Sequence, residues 1–179
     1  RDGAVFPLAP GVAGGIWNPA LYGFCNFGVE QTTADLFAAL EFIRGKNPDV
    51  KIILTVSPVP LNATYCDRHV AVSTAWSKAV LRVAAENATA AFDRCDYFPS
   101  YEIITSSPTA GHYFAEDRRE IASPGVRHVM QLFLKHYGKA EDARLQLDEF
   151  AATSLSEQHV EPMEDMMSVF CDEEAIGNT

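Results

Sequence analysis

The run KIILTVSPVPL at residues 51–61 constrains the fold more than any other stretch. Ile52, Ile53, Leu54, Thr55 and Val56 have strand character, and Ser57-Pro58 stops them abruptly. Pro60 follows. Helix-like segments flank the run on both sides, which is the pattern of a buried parallel strand. Proline has no backbone N–H to give to a ladder, so pairing ends there and the chain turns outward at the strand's carboxyl end. Open α/β sheets bind ligands at that edge. An ordinary strand-to-helix turn has the same appearance and needs no chemistry.

The flanking segments follow by periodicity. Leu36, Phe37, Leu40 and Ile43 share a face of a helix predicted at 33–44, with Thr32 or Thr33 as cap and Gly45 as stop. Asn47-Pro48 turns the chain into the strand at 51–56. A longer helix is predicted at 70–92, striped by Val72, Ala75, Trp76, Ala79, Val80, Val83 and Ala84. Residues 95–98 read as a second parallel strand, 101–105 as a short helix or turn, and 111–119 as loop. The last helix is predicted at 124–137. Ser123 is its expected cap, Val126, Val129, Met130, Phe133 and Tyr137 lie on one face, and Gly138 is the stop. Residues 1–29 are rich in glycine, proline and aromatics and read as loop.

Alternating helices and strands imply a parallel sheet. Two strands are too few, since sheets average about five or six. The expectation is therefore half of a domain, residues 1–138, with a missing N-terminal half or a protein partner covering a sheet edge.

The net charge of −10 is unevenly placed. Residues 1–138 hold 13 acids against 12 bases, whereas 139–179 hold 11 acids against Lys139 and Arg144. The body carries no basic stripe, which argues against nucleic acid as a partner. No apolar run approaches the roughly 20 residues of a transmembrane segment. Cys25, Cys66, Cys95 and Cys171 are scattered, with no C-x-x-C pair and no zinc-type spacing. Free thiols in a reducing, cytoplasmic setting are expected, with no metal and no cofactor. The glycosylation-type patterns at Asn62 and Asn87 read as chance, and the second falls inside a predicted helix.

DVKIILTVSPVPL at 49–61, Ser77-Lys78 and DYFPSYEII at 96–104 resemble the C-terminal half of a GSCFA-domain protein. So do DGAVFPLAPG at 2–11 and GVRHVMQLF at 125–133, and CDEE at 171–174 resembles the acidic extension of some members. The resemblance covers roughly residues 2–138. It implies kinship with SGNH-type hydrolases and a partial flavodoxin-like α/β fold: a parallel sheet flanked by helices, with an acidic C-terminal extension. It also implies a serine esterase or acyltransferase, acting for instance on acylated carbohydrate. There a serine attacks an acyl carbonyl, a histidine takes its proton, and a carboxylate in an Asp-x-x-His element orients the histidine. This chain contains neither the Gly-Ser motif of the family name nor a Gly-x-Asn-Asp block. The third element reads Asp117-Arg118-Arg119-Glu120, with glutamate where histidine is expected. An ordinary glutamate, with a pKa of about 4.3, is a weak base for a serine hydroxyl. A non-catalytic structural or interaction subunit that keeps the fold is the rival reading.

The candidate catalytic residues are Asp117 and, as a substitute base, His112. Ser57, Ser100, Tyr101 and Glu102 are candidate substrate contacts at the strand ends. The plainer alternatives are that the serines satisfy turn amides and that Glu102 pairs with Lys78 or an arginine. Arg118 and Arg119 are either an anion subsite or solvated charge. His128 reads as a surface residue and His69 as part of a helix cap. Cys66 lies too close in sequence to Asp67 and His69 to form a dyad with them. In the tail, Val160, Met163, Met166, Met167 and Phe170 recur at helical spacing among acids. They fit a short amphipathic helix docking on this body or a partner, or else a solvated tail.

Overall fold

The computed structural model describes residues 15–109 and 111–138. The order is α1 (Val29–Lys46), β1 (Ile52–Leu54), α2 (Val70–Ala91), β2 (Cys95–Tyr97), α3 (Ser100–Thr105) and α4 (Ser123–Tyr137). The acidic tail, with Cys171 and its helical methionine pattern, lies outside the described residues, as does 1–14.

The two strands are adjacent and parallel, as the β-α-β order requires. Ile52 pairs with Cys95, Ile53 with Asp96, and Leu54 with Tyr97. The ladder extends at both ends, where Ile52 N donates to Arg94 O and Phe98 N to Leu54 O. Side chains alternate across a strand. Ile52, Leu54 and Cys95 therefore face the helices, while Ile53 on the other face is 38% exposed.

The core lies between α1, α2 and the sheet. Leu40, Ala88 and Cys95 are buried at its centre, with Leu36, Phe37, Ile52, Leu54 and Phe92 packed around them. Ala84, Ala85 and Ala88 of α2 are buried, and Ala88 joins Leu40 of α1 in the core where the two helices pack. Phe37 meets Phe92 edge-on at 4.9 Å between centroids, a favoured aromatic geometry. Beyond β2, Phe98 packs edge-on against Phe133 and Tyr137 of α4. No helix among the described residues is long and apolar enough to cross a membrane.

Helix ends differ from expectation. α1 begins at Val29 rather than Thr33, because Gly28 is its cap and Gln31 Oε1 accepts from Gly28 N at 3.2 Å. Thr33 sits inside the helix. Gly45 does not stop it; Asn47 does, its N–H bonding to Ile43 O. At α4, Ala122 is the cap, with Ser123 and Pro124 already in the first turn. Gly138 ends that helix as expected, its N–H reaching Leu134 O. His69 caps α2, its Nδ1 accepting from Ala71 N at 3.2 Å.

Candidate functional site at the carboxyl edge of the strands

Parallel pairing brings both strand ends to one edge, so residues 55–57 and 98–100 meet there. Thr55 Oγ1 donates to Phe98 O at 2.9 Å, and Ser100 Oγ donates to Val56 O at 3.0 Å. The two hydroxyl oxygens also touch each other. Two protons serve three contacts, so one carbonyl bond yields whenever the hydroxyls bond. Ser100 is buried within this clasp. It satisfies a carbonyl, where the sequence pointed to turn amides as its alternative role. Ser57 is exposed, and its Oγ accepts from Val59 N at 3.2 Å within the proline turn.

Glu102 on α3 is tied into a network. Its Oε1 accepts from Arg82 Nε at 3.0 Å and its Oε2 from Tyr97 OH at 2.9 Å. The pairing arginine is thus Arg82, which sequence reasoning had not named. The guanidinium lies over the Tyr97 ring at 4.1 Å and also reaches Glu86 at 2.8 Å. Burial, followed by the bond to the Glu102 carboxylate, pushes the Tyr97 phenol far above its ordinary range. Burial opposes the charge on Arg82, but bonds to Glu86 and Glu102 outweigh it and raise its pKa. Glu102 therefore clamps α3 to α2 and β2. Tyr101 beside it is half-buried, and its carbonyl accepts from Thr105 Oγ1.

The loop before α4 is closed by a bridge between Phe114 and Ile121 and by Ala115 N donating to Glu120 O at 2.8 Å. Arg118 adopts φ 61° at its tip. Asp117 Oδ1 accepts from Arg119 N at 2.9 Å and Glu120 N at 3.1 Å. The Arg119 amide is the main reason its pKa is lowered. Asp117 is thus an Asx-type brace of its own turn. Among the described residues no hydrogen bond joins it to His112. His112 is exposed, with its backbone N–H bonded to Thr109 O at 2.8 Å.

Besides the cap His69, the structure engages a second histidine, His128. Far from standing free on the surface, it is half-buried, with Nδ1 2.7 Å from Tyr113 OH. Their rings meet at 5.6 Å. The phenol donates when Nδ1 is bare and accepts when Nδ1 carries the proton. Fifteen residues separate the pair, and no local spacing rule links them.

Among the described residues, no three of His, Cys, Asp and Glu come together as a metal site. Cys25, Cys66 and Cys95 are free thiols. The family model that matches this chain is that of the GSCFA family, over residues 3–133. No curated protein and no solved structure matches it.

Proposed function

Because this chain belongs to the GSCFA family, we propose that it is the C-terminal part of an SGNH-like serine esterase or acyltransferase, with acylated carbohydrate as the substrate class. The carboxyl edge of β1 and β2 would form one wall of the substrate cleft. The observation that carries this reading is the parallel register, with the Thr55–Ser100 clasp fixing the two strand ends side by side. Exposed Ser57 and half-buried Tyr101 then stand on segments leaving one edge, where open α/β sheets present ligand contacts. Ser100 and Glu102 shape that wall from behind, since their polar atoms are already paired. The nucleophilic serine and the oxyanion donors would come from polypeptide covering the sheet edge. That could be an N-terminal half of the domain or a partner chain.

One observation favours a second reading, a non-catalytic subunit that keeps the fold. The Asp117 carboxylate is bonded to its own turn, and Glu120 stands where the base is expected. Ester turnover by the full-length protein separates the two readings. The enzyme reading expects Asp117→Asn or His112→Ala to lower turnover by about 10²-fold or more, the scale of losing a general base. The structural reading expects no serine-dependent turnover in the unaltered protein. Rapid turnover indifferent to both substitutions would remove Asp117 and His112 from the site.

A further inference from the structure

An open cleft of about 470 Å³ lies between α3 and the end of α4. Its lining is Phe98, Pro99, Ile103, Leu132, His136 and Tyr137. We propose that this cleft is the docking site for the chain's own acidic segment at 160–170, held by its methionines and phenylalanine. The inference holds whether or not the domain turns over an ester.

Three features converge on that occupant. The first is the tether. Tyr137 is both the last residue of α4 and part of the cleft wall, so the chain leaves the fold at the cleft's lip. Twenty-one residues then separate Gly138 from Val160. A linker of that length reaches up to about 70 Å at full extension, more than enough for the chain to return to the cleft. Tethering also puts the segment at an effective concentration near millimolar, so a modest cleft suffices.

The second is shape and polarity. Val160, Met163, Met166 or Met167, and Phe170 recur at a spacing that would place them on one apolar stripe of a helix. Stripes of this kind enter apolar grooves, and flexible thioethers adapt to irregular walls better than branched side chains do. The cleft offers aromatic and aliphatic walls with two polar tips, the His136 imidazole and the Tyr137 hydroxyl.

The third is charge. α4 carries Arg127 and Lys135 and no acid, and Lys135 is exposed beside the cleft-lining His136. The one acid on α3, Glu102, is already paired with Arg82. The segment brings Glu161, Glu164 and Asp165 within the stripe and Asp172, Glu173 and Glu174 just beyond it. Acids flanking an apolar stripe would meet the basic rim of α4, exposed Lys135 first.

Backbone amide exchange on the full chain tests this. The variant replaces Met163, Met166, Met167 and Phe170, all outside the described residues, with serine. We expect exchange in 100–105 and 132–137 to rise at least about tenfold, with α1 and α2 unchanged, as for loss of a local contact. A synthetic peptide of residues 157–174 added to that variant should restore the protection. Lys135→Glu, at an exposed position, should weaken docking in the same direction. Unchanged exchange in the serine variant would overturn the proposal, because the cleft would then be open or covered by other polypeptide. Protection that grows with protein concentration would overturn it too, by assigning the cleft to a second copy.

Discussion

Ser100 shows how a residue chosen for chemistry can be consumed by structure. Its hydroxyl bonds Val56 O in a buried setting, so Ser100→Ala strands a carbonyl and frees Thr55 to bond Phe98 alone. We expect a loss of about 1–2 kcal/mol in denaturant unfolding, the usual cost of an unpaired buried group. A change indistinguishable from zero would mean that the clasp is not formed in solution. Asp117 is the complementary case, an exposed carboxylate with a lowered pKa. Its bonds to the turn amides are present at and above the ordinary carboxylate value, about 3.9. They are lost as pH falls through the lower folded value. The Arg119 and Glu120 amide resonances should therefore hold steady from neutral pH to about pH 4 and move only below it. Asp117→Asn keeps an acceptor and should abolish that movement while retaining the turn. A titration of these amides centred near pH 6 would point to a histidine partner instead. A structural role for Ser100 was open in the sequence, but the turn bonds of Asp117 were not legible there. Asp-x-x-Glu shows an altered motif, but which groups the carboxylate meets depends on Arg118 entering the left-handed region at the loop tip.

Elements were more readable than residues. A strand was visible within 51–56 because β-type residues run up to Ser57-Pro58, although pairing spans only Ile52–Leu54 and stops before the prolines, and the helices near 70–92 and 124–137 were visible because their stripes are long. Their ends were not visible, for capping is a contest among neighbours. Gln31 reaching back to Gly28 wins over Thr32 and Thr33 and starts α1 four residues early. The packing of the loop on α4 was also hidden, and it turns on Gly125. A Cβ there would lie 2.7 Å from Tyr113 Cβ and 2.9 Å from Ile121 Cγ2. Alanine ordinarily improves a helix by about 1 kcal/mol over glycine. Here overpacking should dominate, and Gly125→Ala should cost about 1–3 kcal/mol net. Thermal unfolding would register the loss, and the Tyr113–His128 contact should loosen with it, visible in the His128 ring resonances. A rise in melting temperature would show that the loop sits farther from α4.

For the molecule as a whole, the sequence conveyed the β-α-β order and the segregation of charge into 139–179. It could not convey that α1 and α2 share one face of the sheet while Ile53 on the other stays 38% exposed. That asymmetry arises from long-range packing of Leu40 and Ala88 on Cys95, which periodicity does not encode. Among the described residues the sheet has two strands and no helix against the Ile53 face, and a sheet of that kind gains from further cover. The same packing gives the protein an internal clock. The Cys95 thiol is 5% exposed, and burial raises its pKa, so little thiolate forms and no electrophile reaches it in the closed state. Alkylation of Cys95 must wait for α1 and α2 to lift from the sheet, whereas exposed Cys25 is available at once. Time-resolved labelling by mass spectrometry should show Cys25 modified at the rate of a model thiol and Cys95 slower by orders of magnitude. A common rate for both would mean that the helices do not stay seated on the strands.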